Sequence, residues 1–449
     1  MNQPLRVSAN FDSGAIEVVG IDGDRIDVAI RADRTDDPAV HFRQWFHFRI
    51  AGCAGRSLTV RFTNAAACTF AKAWQDYRVC ASVDTERWFR LDTTYDGQVM
   101  TAQCTPDADA IHLAYFEPFT WQRHRALIGR AARDPRVRVE HLTTTPDGHD
   151  LDALTLGNPT GKPVWIIARQ HPGEVMAEWF VEGLVDALLD PHDSLSRALL
   201  DRARFHIVPS MNPDGAVRGN LRTNASGTDL NRAWNDPTLA RSPEVLAVRE
   251  RMLATGCAFF LDVHGDEALP YVFVAGGDNL PGFTDAHRKR QALFYDRFAL
   301  AAPDFQTVHG YPSVAFSDQT LTLAAKWAGH KFGCLALTLE MPFKDNANLP
   351  DPTRGWTGAR SRVLGAALRV PLLAALQAAD APPVSARPRS RPLRCKLAAI
   401  SLTSAATRSA AGSERASGAP WPAHCAPKPG SPLDLPAAWS ALPASYATG

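Results

Sequence analysis

Four residues of the sequence could together bind a metal ion and activate water. His171 and Glu174 stand three apart in the run RQHPGEVMAEWF, His264 lies in AFFLDVHG, and Glu340 ends CLALTLE. Two imidazole nitrogens and one carboxylate are a typical ligand set of catalytic zinc, and they leave its fourth position for water. A second carboxylate that is not a ligand can then take a proton from that water. Together the four residues predict a zinc hydrolase.

Each of these residues has a simpler interpretation when it is taken alone. Polar side chains such as His171 and Glu174 often only cap the start of a helix. His264 by itself is more often a hydrogen-bonded core histidine than a ligand. Glu340 is harder to explain, because a carboxylate at the end of a buried strand is costly without a partner. The combination of the four therefore favours a site.

A polar segment between these residues, GNLRTNASGTDLNRAW, is a candidate for binding an anion. It holds Arg222, Asp229, Asn231 and Arg232. A polar surface loop with a helix cap is the plain interpretation. Guanidinium groups, however, bind carboxylates with two hydrogen bonds. Two arginines beside a zinc site suggest a substrate with a free carboxylate near the bond that is cleaved. That leaves a carboxypeptidase and a deacylase of N-acyl amino acids both open.

The elements that must position these residues lie between about 125 and 380. Apolar runs alternate there with helical patterns, as in PVWIIARQ followed by AEWFVEGLVDALLD. This alternation predicts a buried, mixed and mostly parallel sheet with helices on both faces. Ligand sites of such sheets form beyond the carboxyl ends of the strands. Since the candidate residues follow or end predicted strands, we expect them to meet at one edge of the sheet.

The chain divides into three regions by composition and pattern. Residues 1–122 show short alternating runs separated by turn residues, which predicts an antiparallel β-sandwich domain. Residues 123–380 form the predicted α/β catalytic domain. Residues 381–449 hold 11 of the 33 prolines and almost no periodicity, so we expect a disordered low-complexity tail.

The overall composition limits which binding partners and which cellular compartment are expected. The formal net charge is +1, which gives no indication of a nucleic acid as partner. None of the eight cysteines forms a C-x-x-C pair. No apolar stretch is long enough to span a membrane, and the start of the chain lacks the pattern of a signal peptide. We therefore expect a cytoplasmic protein with no membrane partner; the oligomeric state is not indicated.

The order of the motifs resembles that of a known family. H-P-G-E, N-P-D-G, G-N-x-R, G-x-D-L-N-R-x-W, D-V-H-G and a late T-L-E follow one another along the chain. This series resembles the zinc metallocarboxypeptidases, and in particular the bacterial members of the cytosolic carboxypeptidase subfamily. The runs FDSGAIEVV and AYFEPFTW resemble the additional β-sandwich domain of that subfamily. The resemblance covers about residues 5–375 and implies the zinc carboxypeptidase fold behind a β-sandwich.

The resemblance implies a metal centre with defined roles. His171, Glu174 and His264 would hold one Zn²⁺ per chain. Glu340 would be the general base that activates water and later protonates the leaving amine. Asp229 would orient His171, as histidines that bind metals usually require.

The resemblance also implies how a substrate is held. Arg222 would polarise the scissile carbonyl and stabilise the oxyanion, and Asn231 and Arg232 would bind the terminal carboxylate. Tyr311 is the candidate for a tyrosine that closes over the substrate, although it could be only a turn residue. Lys326 is the candidate for a basic side chain in the pocket of the last residue, although it could be only a solvated helix lysine.

The predicted activity is hydrolysis of the C-terminal peptide bond of peptides or proteins. The subfamily prefers acidic C-terminal residues, which the resemblance extends to this chain. Two alternatives remain from the sequence. One is a zinc amidohydrolase that deacylates N-acyl amino acids, and the other is a catalytically inactive binding protein of the same fold.

Overall fold

The computed structural model of the protein describes residues 4–37 and 40–379. The tail predicted to be disordered, residues 381–449, lies outside the described residues. Within the described part, no helix combines the length and the apolar character that crossing a membrane requires.

The N-terminal region is built from two five-stranded sheets, ordered β1-β4-β10-β6-β7 and β2-β3-β5-β9-β8. All pairs are antiparallel except β3 with β5. Side chains alternate between core and surface, as in β5, where Leu58, Val60 and Phe62 are buried. The ten strands are β1 Arg6–Ser8, β2 Glu17–Asp22, β3 Arg25–Ala29, β4 His47–Ala51, β5 Leu58–Phe62, β6 Cys80–Ser82, β7 Phe89–Arg90, β8 Asp92–Tyr95, β9 Met100–Cys104 and β10 Ala110–Ala114.

The described part of the C-terminal region, up to residue 379, has one seven-stranded sheet, ordered β11-β12-β14-β13-β15-β17-β16. The four strands β14, β13, β15 and β17 are parallel to one another, and the strands that flank them pair antiparallel. The strands are β11 Val137–Thr144, β12 Asp150–Gly157, β13 Lys162–Ala168, β14 Ala203–Val208, β15 Phe259–Val263, β16 Phe273–Ala275 and β17 Leu335–Glu340.

Helices connect and cover these strands. The α-helices are α1 Trp121–Ala131, α2 Met176–Leu189, α3 Ser194–Arg202, α4 Pro213–Arg218, α5 Pro243–Thr255, α6 Asp285–Ala301, α7 Ala324–Phe332, α8 Gly358–Ala367 and α9 Arg369–Ala378. Short 3-10 helices occur at Ala65–Ala67, Ala71–Trp74, Leu230–Arg232 and Asp318–Thr322.

The central strands are covered on both faces, which explains their continuous apolar runs. In β13, Val164 and Ile166 belong to one hydrophobic cluster, while Trp165 and Ile167 belong to another. Neighbouring side chains of a strand point to opposite faces, so each face of the sheet packs against its own core. The fold class predicted from the sequence, a mixed sheet flanked by helices behind N-terminal β-sheets, is confirmed.

Candidate functional site

Parallel pairing of three central strands brings the predicted ligands to one edge of the sheet. β15 pairs with β13 on one side and with β17 on the other. His264 follows the last residue of β15, Glu340 ends β17, and His171 comes three residues after β13. The backbone N–H of His264 donates to the carbonyl of Leu339 at 2.8 Å, which fixes the histidine beside the end of β17.

Three buried side chains converge at this edge. Nδ1 of His171 lies 2.7 Å from Oε1 of Glu174, and Nδ1 of His264 lies 2.7 Å from Oε2. One ligand atom from each of these residues lies within 4.8 Å of the others. Two imidazoles and a carboxylate at such distances are a donor set suited to zinc.

Each histidine is held from behind by a second carboxylate. Nε2 of His171 lies 3.1 Å from Oδ1 of Asp229, and Nε2 of His264 lies 2.8 Å from Oδ2 of Asp262. An ionised carboxylate only accepts hydrogen bonds, so Asp229 and Asp262 keep a proton on each Nε2, and with a metal ion bound each Nδ1 would be left with its lone pair to donate. Both Nδ1 atoms lie against the same Glu174 carboxylate, and the residues present therefore fit a bound zinc ion.

The charges around this centre shift its carboxylates strongly. Burial by itself raises the pKa of Glu174, but His171 and His264 outweigh it and hold that pKa well below its ordinary value. Burial likewise opposes the ionised form of Asp229, and Arg222 and His171 reverse the effect, so its pKa is also lowered. Both carboxylates are thus anionic across the neutral pH range, as binding a cation and orienting His171 require.

The turn HPGE is shaped by close backbone contact. The N–H of Gly173 donates to the carbonyl of Leu221 at 2.9 Å, and a Cβ at this position would press against the Leu221 backbone. Glycine therefore allows the ligand turn to pack on the loop that carries Arg222. Just before the turn, Arg169 has a φ of 58°, and its buried guanidinium donates to Glu178 and to the carbonyl of Phe119, both at 2.7 Å.

Glu340 lies beside the predicted ligands and is almost fully buried. Its Oε1 accepts from the Tyr311 hydroxyl at 3.0 Å, and the same hydroxyl lies 2.9 Å from Asp266. Its Oε2 has no hydrogen-bond partner within residues 4–37 and 40–379. Burial raises the pKa of Glu340 well above its ordinary value, and the nearby carboxylates of Glu174 and Asp266 add to the effect. A carboxylate of this kind is suited to accept and return a proton.

The arginine-containing segment lies next to the predicted ligands. Nε of Arg222 donates to Oδ2 of Asp229 at 2.7 Å, which links this arginine to the carboxylate behind His171. The Asn231 side chain lies 3.4 Å from Nε2 of His264, and its Oδ1 accepts from the backbone of Ala324 at 2.9 Å. Arg232 is half-buried and donates to the Asn231 carbonyl at 2.9 Å. Arg222 thus reaches the centre through Asp229 and Asn231 through His264, while Arg232 is bonded to Asn231.

A cavity of about 510 Å³ adjoins the site, and its walls include Asn231, Tyr311 and Lys326. The ammonium group of Lys326 donates to the carbonyl of Gly276 at 2.6 Å and to Oδ1 of Asn279 at 2.7 Å. Burial lowers the pKa of Lys326 to about 8. Two residues that the resemblance singled out, Tyr311 and Lys326, therefore line one pocket.

The pocket also contains an acidic side chain, Asp278. Its carboxylate accepts from Arg288 at 3.1 Å and from Gln291 at 2.6 Å. The pair with Arg288 is exposed, and the charge of Asp278 still acts on Lys326, whose pKa it raises against the effect of burial. The hydrogen bonds of Lys326 to the described residues go to the neutral acceptors of Gly276 and Asn279, and Lys326 forms part of the cavity wall.

Several functional candidates escaped the sequence reasoning. Asp262 stands two residues before His264 in the D-V-H run, so this spacing was the signal that could have identified it. Gln170 donates to Asp262 at 2.7 Å and accepts from the indole of Trp234 at 2.8 Å. Asp266, bonded to Tyr311, had no signal beyond its closeness to His264 in the sequence.

A sheet edge that joins two histidines, two glutamates and an arginine is typical of a metal-dependent hydrolase. Two family profiles match the chain: "Zinc carboxypeptidase" over residues 124–354 and "Cytosolic carboxypeptidase N-terminal domain" over residues 7–116. The chain belongs to the zinc carboxypeptidase family, as its motifs predicted.

Solved structures agree in fold and sequence. The chain is similar to a metallo-carboxypeptidase from Burkholderia cenocepacia, with 50% identity and a TM-score of 0.81, covering 83% of this chain and 100% of that one. It is also similar to a metallo-carboxypeptidase from Pseudomonas aeruginosa solved with (2-guanidinoethylmercapto)succinic acid, with 41% identity and a TM-score of 0.79, covering 83% and 99%.

A mammalian relative is more distant. Cytosolic carboxypeptidase 6 of Mus musculus is 28% identical over 348 residues, which are 70% of this chain. The match spans 61% of the length of the mouse protein, so this chain corresponds to only part of it.

We expect Asp262→Asn to weaken zinc binding about 10- to 100-fold, because an amide no longer holds the His264 proton on Nε2. Equilibrium dialysis against a zinc buffer measures the change. Asp214→Asn is the matched control, since Asp214 is also fully buried and bonded to a histidine, His149, outside the ligand set. Equal zinc affinity in wild type and Asp262→Asn would contradict the assigned role.

Proposed function

We propose that the protein is a zinc-dependent metallocarboxypeptidase that hydrolyses the C-terminal peptide bond of peptides or proteins. The observation that carries the proposal is the buried cluster of His171, Glu174 and His264 directly beside Glu340. Membership of the zinc carboxypeptidase family supports one Zn²⁺ per chain, held by these three ligands. The relatives' designation as cytosolic supports a cytoplasmic location.

Zinc, when bound, supplies a Lewis acid and lets a water molecule lose its proton near neutral pH. Glu340 accepts that proton through a carboxylate oxygen and returns it to the nitrogen of the leaving amine, so that the proton count balances. Arg222 donates to the carbonyl oxygen of the substrate, where negative charge develops during attack. Its bond to Asp229 keeps the guanidinium in place.

Recognition of the chain terminus is assigned to Asn231 and Arg232, which would donate to the terminal carboxylate. Tyr311 would cover the substrate from the side of Glu340, to which its hydroxyl is already bonded. The dicarboxylic compound bound by the Pseudomonas aeruginosa relative is consistent with a site that recognises carboxylates. That compound also carries a guanidino group, so a basic C-terminal residue has to be tested as well.

We further propose that the pocket of about 510 Å³ receives the last side chain of the substrate. Lys326 in its wall would pair with an acidic side chain, giving a preference for C-terminal glutamate or aspartate. The lysine is already held by two neutral acceptors, so little side-chain entropy is lost when it binds an anion.

The proposed function is tested on peptides that end in Glu, Asp, Lys or Phe, together with N-acyl amino acids, with and without a zinc chelator. We expect release of the terminal residue from peptides, and loss of that activity with the chelator. Cleavage confined to N-acyl amino acids would instead support the deacylase. Zinc binding without turnover of any of these substrates would support an inactive binding protein.

We expect Glu340→Gln to keep one zinc per chain and to lose about 10²- to 10⁴-fold in kcat, because a carboxamide cannot accept the proton of water. Metal analysis and steady-state kinetics on the same preparation separate the two properties. Glu250→Gln, on the exposed side of α5, is the control and should leave kcat unchanged. Undiminished turnover by zinc-loaded Glu340→Gln enzyme would exclude the mechanism.

The role proposed for Lys326 predicts that the preference for an acidic C-terminal residue depends on pH. Its pKa of about 8 means that the ammonium is charged below that pH and neutral above it. The ratio of kcat/KM for peptides ending in Glu and Gln should therefore fall about 10-fold or more as the pH rises from 7 to 9.5.

The same ratio in Lys326→Met enzyme should be low and independent of pH. Lys331→Met changes an exposed lysine of the same helix and should behave as wild type. A Glu/Gln ratio that stays constant with pH in the wild type, or survives in Lys326→Met, would rule out Lys326 as the specificity residue.

A further inference from the structure

The loop that carries Arg222 has little secondary structure of its own. It connects α4 to the 3-10 helix Leu230–Arg232, and its described pairing is a single isolated bridge between Thr223 and Asp229. Backbone N–H groups that are buried outside helices and sheets need other acceptors. For three successive residues of this loop, 221–223, the acceptor comes from the N-terminal region.

Asp33 of the N-terminal region binds the loop at Arg222 itself. Its buried carboxylate accepts from the backbone N–H groups of Leu221 at 2.8 Å, Arg222 at 2.7 Å and Thr223 at 3.0 Å. These residues are about 190 positions away in the sequence, with separations of 188, 189 and 190. Three charge-assisted hydrogen bonds on one carboxylate fix the direction in which the Arg222 side chain leaves the backbone.

Phe42 supports the other part of the same arginine. The guanidinium carbon of Arg222 lies 5.5 Å from the centroid of the Phe42 ring, within the range of a cation–π contact. Phe42 is 3% exposed, and its carbonyl accepts from the N–H of Asp33 at 2.8 Å. The two residues are therefore parts of one framework.

Further contacts hold the rest of the loop to the same region. The hydroxyl of Thr223 donates to the carbonyl of Arg34 at 2.9 Å, and the N–H of Asp36 donates to the carbonyl of Gly227 at 3.1 Å. Gly227 has a φ of 86°, and a Cβ there would collide with the backbone of Thr35 and Asp36. The loop is thus in close contact with the N-terminal region on both sides of Asn224.

We infer that Asp33 and Phe42 are positioning residues for catalysis: they hold Arg222 where it meets the substrate carbonyl, so the N-terminal region completes the active site. This inference rests on the proposed function, in which Arg222 stabilises the developing oxyanion. An error of about 1 Å in placing such a group can cost on the order of 100-fold in rate.

The test compares Asp33→Asn and Phe42→Leu with wild type, using full-length zinc-loaded enzyme and the best peptide substrate. In Asp33→Asn, a carboxamide with a single oxygen replaces the carboxylate, and its NH₂ group cannot accept from the three backbone N–H groups. Asp84→Asn is the matched control. Asp84 also lies in the N-terminal region and accepts from two backbone N–H groups, those of Glu86 at 2.9 Å and Arg87 at 2.8 Å, within its own turn.

We expect Asp33→Asn to lower kcat roughly 10- to 100-fold with little change in KM, since Arg222 acts on the transition state. Phe42→Leu should lower kcat in the same way by a smaller factor, and Asp84→Asn should stay within about twofold of wild type. Zinc content measured on each preparation should remain at one per chain.

A double-mutant cycle with Arg222→Ala separates positioning from loss of folded protein. If Asp33 acts through Arg222, Asp33→Asn causes little further loss when Arg222 is already absent. The same fold loss in both backgrounds, or an unchanged kcat in Asp33→Asn, would overturn the inference. Should Asp33→Asn fail to fold, the cycle with Phe42→Leu decides by the same criteria.

The experiment also separates this inference from the proposed function. A normal kcat for Arg222→Ala would mean that the assigned role of Arg222 is wrong. A strong loss for Arg222→Ala together with normal kcat values for Asp33→Asn and Phe42→Leu would refute only the positioning role.

Discussion

The parallel pairing of β13, β15 and β17 is the constraint on which the site depends. It aligns Ala168, Val263 and Leu339 side by side. The residues that follow the three strands therefore begin next to one another at the same edge of the sheet. His264 and Glu340 therefore lie close together without a long connecting loop. The short turn after β13 places His171 and Glu174 beside them. Because both faces of the sheet are packed, this edge cannot shift without disturbing two cores. The rigid sheet therefore holds the residues of the site in fixed positions.

Behind the proposed ligands lies a second layer of charged side chains. Asp229 and Asp262 face the two histidines, and Arg222 faces Asp229. Buried ions are tolerated when each has a partner of opposite charge or a hydrogen-bond donor. Zinc would bring positive charge to a group of carboxylates that is otherwise only partly balanced, so the binding of metal and the satisfaction of the buried charges are parts of the same electrostatic arrangement.

Which features could be predicted depends on how close together in the sequence the residues lie that determine them. The convergence of His171, Glu174, His264 and Glu340 could be anticipated, because each ends or soon follows an apolar strand and parallel strand ends meet. Asp262 was within reach, since it lies in β15, which His264 directly follows. The contact between Asp33 and the Arg222 loop was not, because no periodicity or motif connects residues about 190 positions apart. Pairings of that kind are set by how two separately patterned regions pack, which a single sequence does not specify.

The conformation of Arg169 has a consequence for any attempt to make this enzyme more robust. A non-glycine residue with a left-handed backbone costs about 1–2 kcal/mol, and here the residue stands immediately before the first ligand turn. Glycine would relieve the backbone but remove the buried ion pair with Glu178. Directly after β13, the backbone conformation that positions the turn therefore lowers folding stability. Substitutions that raise thermal stability are better sought on the outer helices, where the backbone carries no such strain.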